Sequence, residues 1–202
     1  MRLLIKNGVL VTPDKTYSAD ILSESGVITR IDKDISEDAD EIIDAEGQYI
    51  FPGGVDVHTH LNLKLGDRQV SDGFYHGTVA AAFGGTTTVI DHPEAGEKNC
   101  SLHRQPDIYR EKLDAEAVID FGIHGVFQHL TETTLKEIPE LIAKGIPSMK
   151  VYTTYANMLN PDEIRSVIGT MDKNGGLTAF HAEKDSEIKE LQAKYADEKK
   201  LE

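Results

Sequence analysis

The sequence predicts an α/β protein in which a small N-terminal β-sandwich-type domain, residues 1–52, precedes the first part of a (β/α)8 barrel, residues 53–202. Short apolar runs joined by turn dipeptides fill roughly the first fifty residues, a pattern typical of β-hairpins. Strand and helix patterns then alternate over about five units of roughly thirty residues, the period of the βαβ motif. Polar residues fall where the predicted strands end, as they do in barrel enzymes.

Hairpin signals predict an antiparallel sheet in residues 1–52. Three turn dipeptides separate apolar runs there: Asn7-Gly8, Ser25-Gly26 and Glu46-Gly47. Dipeptides of this kind tolerate the left-handed backbone that tight two-residue turns require. We therefore expect three hairpin-like units, packed as one half of a sandwich.

Five strands and five helices are predicted beyond Pro52. The strands are at residues 53–60, 86–91, 118–128, 148–155 and 176–183, and the helices at 71–85, 105–117, 131–145, 160–175 and 186–202. Ser71, Thr131 or Thr133, and Asn160 are the predicted N-caps, since hydroxyl and amide side chains satisfy the free N–H groups of a first helical turn.

Two parallel-sheet architectures fit this alternation. A dinucleotide-binding sheet should open with a glycine-rich G-x-G-x-x-G turn after its first strand, and the sequence has none. The Gly84-Gly85 pair instead follows a predicted helix, where it is typical of a C-cap. The barrel is favoured, although five units do not close an eight-stranded barrel, which needs about 250 residues.

Composition excludes several classes of function. A formal net charge of −14 argues against nucleic-acid and anionic-membrane binding, which need clustered basic side chains. The single cysteine, Cys100, excludes an intramolecular disulfide and suits a reducing compartment. The apolar run at the N-terminus is too short for a signal peptide or a membrane span. We expect a cytoplasmic protein with no membrane or nucleic-acid partner.

Four strand-end residues are candidates for chemistry. His58 and His60 are two residues apart on a strand, so both imidazoles face the same side and could bind one metal ion. Lys150 lies within an apolar strand, and His181 closes the next strand. Each residue alone also has an ordinary structural explanation: hydrogen-bonded strand-end histidines, or a lysine that snorkels, guards a sheet edge or pairs with a carboxylate. A buried lysine that loses its proton could instead react with carbon dioxide and become a carbamate.

Four segments taken together resemble the dihydropyrimidinase/hydantoinase branch of the amidohydrolase superfamily. They are residues 52–61, 77–91, 148–156 and 179–183. The resemblance implies a metal-dependent-hydrolase (β/α)8 barrel with two divalent metal ions, zinc being the expected metal. In this scheme His58 and His60 bind the first ion, N6-carboxylated Lys150 bridges both, and His181 binds the second. Tyr155 would donate a hydrogen bond to the oxyanion that forms during the reaction.

The resemblance also implies an activity, the hydrolysis of a cyclic amide or ureide to an N-carbamoyl amino acid, and a homo-oligomer, a tetramer in the full-length family. An allantoinase-like enzyme is an alternative, but Leu61 and Asn62 stand where such enzymes carry an arginine. The second alternative is a truncated, non-catalytic remnant or a relative that serves in assembly. The family takes a further histidine and an aspartate from later strands, so we expect this chain to be an N-terminal portion, incomplete and inactive alone.

Overall fold

The computed structural model describes residues 1–197 of the chain. The chain divides into two compact units, Met1–Gly53 and a second unit that begins at Gly54. The predicted domains, 1–52 and 53–202, stay a prediction. Within residues 1–197 no helix is both long enough and apolar enough to cross a membrane.

The first unit is one five-stranded sheet. Its strands are β1 (Arg2–Val11), β2 (Thr16–Glu24), β3 (Val27–Asp32), β4 (Glu41–Asp44) and β5 (Tyr49–Ile50). The order is β3-β2-β1-β4, and β5 also pairs with β1. β1, β2 and β3 are antiparallel, whereas β4 and β5 run parallel to β1. The prediction of a purely antiparallel sheet is therefore wrong, and the sheet is mixed.

The three turn dipeptides have different outcomes. Ser25-Gly26 forms the predicted hairpin turn between β2 and β3, with positive φ at both residues. Asn7-Gly8 does not turn the chain, because it lies inside β1 at a bulge where the Asp20 carboxylate accepts the Asn7 N–H. A side chain at Gly8 would also overlap Ile50. Glu46-Gly47, the third dipeptide, connects β4 to β5 along β1 instead of forming a hairpin.

The second unit alternates strands and helices. In chain order, its described elements are β6 (Gly54–Thr59), β7 (Lys64–Leu65), β8 (Arg68–Gln69), α1 (Phe74–Phe83), β9 (Thr86–Asp91), α2 (Arg104–Glu116), β10 (Asp120–Ile123), β11 (Gly125–Val126), α3 (Glu132–Ala143), β12 (Ser148–Tyr152), α4 (Pro161–Lys173), β13 (Leu177–His181) and α5 (Asp185–Asp197). The end of the predicted last helix, residues 198–202, lies outside the described residues.

All the long strands of this unit run parallel. β6, β9 and β10 form one ladder, and β11, β12 and β13 form another. The predicted strand 118–128 is split between them at His124, whose N–H donates to the Asp91 carbonyl (2.9 Å). Beyond this break the Phe127 N–H donates to the Lys150 carbonyl (2.9 Å). The strands thus follow one another in chain order with helices between them, as in the first part of a parallel barrel.

Local signals position the helices. The Thr131 hydroxyl accepts the Thr134 N–H at the start of α3, and the Asn160 side chain accepts two N–H groups at the start of α4. These two predicted caps are confirmed. Ser71 is a wrong prediction, because α1 begins after Gly73 with no side-chain cap.

The largest apolar cluster of the second unit fixes the strand that carries Lys150. Met149 and Val151, the neighbours of Lys150 in β12, are fully buried. Ile138 of α3 and Val167 of α4 belong to the same buried cluster. Because alternate residues of a strand point to opposite faces, this packing turns Lys150 toward the other face of the sheet.

Candidate metal centre

The histidine pair at the end of β6 has the spacing of two ligands of one metal ion. The Nε2 atoms of His58 and His60 lie 3.3 Å apart. Two nitrogens bound to one tetrahedral zinc ion at about 2.0–2.1 Å are about 3.3 Å apart. The Nδ1 atom of His60 is buried and has no hydrogen-bond partner in the described part of the chain. The pair therefore fits the metal site that the sequence predicts.

Both imidazoles are held in the neutral form that metal binding requires. Burial lowers the pKa of His58 and of His60. When Lys150 is protonated, its charge lowers the pKa of His58 further, and a protonated His58 lowers the pKa of His60 further, because a cation disfavours a second cation nearby. Near neutral pH these side chains can offer nitrogen lone pairs.

Lys150 occupies the centre of its sheet. β12 pairs with β11 on one side and with β13 on the other, so Lys150 does not guard a sheet edge. The residue is only 5% exposed, and burial lowers its pKa. No carboxylate lies within ion-pair distance of it among residues 1–197. The structure therefore gives no support to two of its ordinary explanations, edge protection and a carboxylate partner.

His181 and Tyr155 meet at the ends of β13 and β12. The Tyr155 hydroxyl lies 3.2 Å from His181 Nε2, and Glu183 Oε2 lies 2.7 Å from the same nitrogen. Tyr155 is 55% exposed and has a positive φ of 71°, a conformation that costs energy in a residue other than glycine. Desolvation and the Glu183 carboxylate raise the pKa of Tyr155, so its hydroxyl keeps its proton and can donate a hydrogen bond.

Two further histidines, His92 and His124, lie beside the histidine pair, although they are not among the predicted metal ligands. The His92 ring stacks on His124, with 3.9 Å between ring centroids, and its centroid lies 4.3 Å from that of His58. Burial lowers the pKa of His92 to about 2, so this ring is neutral. His124 Nε2 donates to the Val57 carbonyl (3.0 Å), which ties the break between β10 and β11 to β6. The signal that could have identified these two histidines is their position, since His92 directly follows β9 and His124 directly follows β10.

Asp91 supports the end of β6, which carries the histidine pair. Its Oδ1 accepts hydrogen bonds from the Thr59 hydroxyl (2.6 Å) and from the Leu61 N–H (2.8 Å). Thr59 and Leu61 flank His60 on either side. The carboxyl group is fully buried, and this burial raises its pKa to about 6.

The structure assembles the predicted residues in pairs. The Nε2 atoms of His58 and His60 are in contact, and the Tyr155 hydroxyl contacts His181 Nε2. Within residues 1–197 no group of three or more histidine, cysteine, aspartate or glutamate side chains is spaced to hold a metal. Carboxylation of the buried Lys150 amine would add carbamate oxygens to these imidazole nitrogens, and zinc accepts both nitrogen and oxygen ligands.

An open cavity adjoins these residues. It has a volume of about 450 Å³ and is bordered by His60 and Tyr155. Apolar walls dominate the rest of it, supplied by Leu63, Leu65, Pro93 and Tyr152. A cavity of this size and character is typical of sites for small molecules.

Comparison with known proteins identifies the family. The model of the amidohydrolase family matches residues 49–202. D-phenylhydantoinase of Escherichia coli O1:K1 is 44% identical over 196 residues, which cover 96% of this chain and 42% of that protein. A D-hydantoinase crystal structure superposes with a TM-score of 0.93 at 37% identity, covering 98% of this chain and 44% of the other. The dihydropyrimidinase of Brevibacillus agri also gives a TM-score of 0.93, at 35% identity, with coverage of 98% and 43%.

These comparisons confirm the predicted resemblance and the predicted fold. The matched structures are hydantoinases and dihydropyrimidinases, and the α/β arrangement of this chain superposes on their N-terminal portion. The chain spans about two fifths of the length of these relatives. The chain belongs to the amidohydrolase family.

Proposed function

We propose that the protein hydrolyses a C–N bond of a cyclic amide or ureide and releases an N-carbamoyl amino acid, as a dihydropyrimidinase or hydantoinase does. The observation that carries the proposal is a buried Lys150, with no ion-pair partner among residues 1–197, near two neutral histidines whose Nε2 atoms lie 3.3 Å apart. Relatives named D-phenylhydantoinase and D-hydantoinase support the same reaction class. The remaining ligands implied by the family resemblance, a histidine and an aspartate, would come from the rest of such a barrel.

The proposed metal ligands are His58 and His60 for one ion, His181 for the other, and carboxylated Lys150 for both. We propose zinc, since imidazole nitrogens together with a carbamate oxygen suit this metal. Two bound divalent ions would supply a hydroxide nucleophile near neutral pH and polarise the carbonyl group of the substrate.

Carboxylation of Lys150 begins from the neutral amine. Burial lowers the Lys150 pKa and so raises the fraction of uncharged amine at neutral pH. As the nitrogen lone pair forms a bond to the carbon of carbon dioxide, the electron pair of one C=O π bond moves to its oxygen, and the nitrogen releases one proton to solvent. The product carries one negative charge on two oxygens. The neutral amine is thereby replaced by an anion that metal ions would neutralise.

Tyr155 is the proposed oxyanion donor. Its hydroxyl borders the cavity together with His60 and keeps its proton. As the carbonyl carbon becomes tetrahedral, negative charge grows on its oxygen, and a hydrogen bond from the hydroxyl stabilises that charge. The apolar walls of the cavity would hold the ring and its substituent and exclude water.

The cellular setting is part of the proposal. One cysteine and the absence of a disulfide framework from the sequence are consistent with the cytoplasm. The family resemblance supports a homo-oligomer, a tetramer. A small cyclic amide would be the partner at the site, with no nucleic acid or membrane involved.

The test is an assay of the protein expressed from its complete reading frame. Dihydrouracil and a series of substituted hydantoins are incubated with the zinc-loaded protein, and the N-carbamoyl product is identified by mass spectrometry. We expect ring opening that a chelator abolishes and zinc restores. Failure to open any ring, or ring opening that persists after chelation, would contradict the proposal.

A further inference from the structure

We infer that Glu183 is a positioning residue, which fixes the protonation pattern of His181 and anchors the Tyr155 hydroxyl. The inference rests on the proposed function, because it concerns how two of its residues are oriented. Glu183 Oε2 lies 2.7 Å from His181 Nε2 and 3.5 Å from the Tyr155 hydroxyl. One carboxylate thus touches both the proposed ligand and the proposed oxyanion donor.

The geometry assigns the proton of the neutral His181 ring to Nε2. A carboxylate only accepts hydrogen bonds, so a nitrogen 2.7 Å from it must carry the hydrogen. The neutral imidazole then keeps its lone pair on Nδ1, and in the described part of the chain Nδ1 has no hydrogen-bond partner. A metal-ligating histidine commonly donates its other N–H to a carboxylate, which fixes the ring and strengthens the ligand.

The Tyr155 hydroxyl is oriented by the same contact. Since His181 Nε2 is a donor, the phenol oxygen 3.2 Å away can accept from it while its own proton points to Glu183. These contacts help to hold Tyr155 in place, even though its backbone has an unfavourable φ of 71°. A hydroxyl already held at the site loses less rotational freedom when it turns to a substrate oxygen.

The backbone of Glu183 is held firmly enough for this role. The Thr153 hydroxyl donates to the Glu183 carbonyl (2.7 Å) and accepts the Glu183 N–H (2.9 Å). The Thr153 N–H donates to the His181 carbonyl (3.1 Å). These bonds join the segment after β13 to the segment after β12, so the carboxylate, the imidazole and the phenol are fixed relative to one another.

The decisive readout is the His181 tautomer, which requires neither metal nor substrate. Long-range proton–nitrogen correlation spectra of the chain, labelled with nitrogen-15 at histidine, report which ring nitrogen carries the proton. His181→Gln identifies the signals. We expect Nε2–H in the parent protein and a mixture of tautomers in Glu183→Ala. Glu183→Gln should keep Nε2–H, because its amide oxygen still accepts.

A second readout is zinc affinity, measured by competition with a chromophoric chelator. We expect Glu183→Ala to bind zinc about 10–100-fold more weakly. The matched control is Glu187→Ala, which removes an exposed carboxylate whose ion-pair partner among residues 1–197 is Lys184 (2.6 Å), and this change should leave affinity unchanged. Nδ1–H in the parent protein, or an unaltered tautomer and affinity in Glu183→Ala, would overturn the inference.

The two proposals can fail separately. If the protein opens no ring but Glu183→Ala changes the His181 tautomer and weakens zinc binding, the proposed function is wrong and the positioning role stands. If the protein opens rings but Glu183→Ala leaves tautomer and affinity unchanged, the positioning role is wrong and the proposed function stands.

Discussion

At the scale of single residues, burial determines the charge of the candidate site. Four histidines and one lysine lie close together, and burial is the main cause of the lowered pKa of each of them: His58, His60, His92, His124 and Lys150. Uncharged nitrogen is the form that binds metal and adds to carbon dioxide. Desolvation, which is only partial at the exposed His58 and the half-buried His60, thus favours the uncharged nitrogens.

Tyr155→Phe tests the proposed oxyanion donor. The change removes one hydroxyl that lies 3.2 Å from His181 and leaves the exposed ring in place. We expect kcat for ring opening to fall by about 10²–10³, the usual cost of losing one oxyanion donor. Zinc content should not change. An unaltered kcat would show that the hydroxyl does not act in the reaction.

Asp91→Asn tests the buried carboxyl group through the pH dependence of stability. The folded-state pKa of Asp91, about 6, lies above its ordinary value of 3.8. The ionised form is therefore disfavoured in the folded state, and stability is lost as pH rises from about 4 to about 6, by about 3 kcal/mol in total.

The asparagine variant lacks this loss, so its stability relative to the parent should increase with pH over that interval. Urea unfolding of the metal-free proteins at about pH 4 and about pH 7 measures the difference. Parallel pH profiles for the two proteins would contradict the raised pKa.

At the scale of elements, the sequence predicts what is encoded locally. The Thr131 and Asn160 caps and the Ser25-Gly26 turn depend on neighbours a few residues away, and all three are confirmed. The hairpin turn predicted at Asn7-Gly8 is wrong, because the bulge found there depends on residues distant in sequence, Asp20 above all. The two residues of a turn dipeptide contain no information about such a long-range contact.

Asn160→Ala tests the contribution of a cap to the element that follows β12. The Asn160 side chain accepts two N–H groups, and Glu163 bonds back to the Asn160 N–H. We expect the free energy of unfolding to fall by about 1 kcal/mol. Asn174→Ala at the opposite end of α4 is the control and should cost less, because among residues 1–197 its side chain makes a single hydrogen bond, to the Thr170 carbonyl. Equal losses would show that the capping box contributes nothing specific.

At the scale of the whole molecule, the candidate site was predictable in its members but not in its geometry. His58, His60 and His181 could be named from strand ends, Lys150 from its place within an apolar strand, and all four from the family resemblance. The role of Glu183 could not, because it depends on a 2.7 Å contact that only the folded chain shows. Spacing along a sequence identifies which side chains share a face, whereas hydrogen-bond partners arise from packing.

The described chain also presents apolar side chains to solvent. Val57 is 60% exposed and Leu177 is 67% exposed. They lie on β6 and β13, which are both parallel strands of the second unit. Exposed apolar surface of this kind promotes association. We expect the isolated 202-residue chain to bind an apolar fluorescent dye and to self-associate in light scattering. Val57→Ser with Leu177→Ser should reduce both signals, and a monodisperse parent chain that binds no dye would contradict this expectation.

The most direct test of the proposed bridging role of Lys150 is the zinc content of the protein with and without this side chain. The protein is expressed from its complete reading frame in the presence of bicarbonate. Lys150→Met keeps the length and apolar stem of the side chain but cannot form a carbamate. Lys112→Met, on the exposed surface of α2, is the matched control. We predict two zinc ions per chain in the parent and the control, and a loss of at least one in Lys150→Met. Equal zinc content in all three would contradict the role of Lys150 as the bridging ligand.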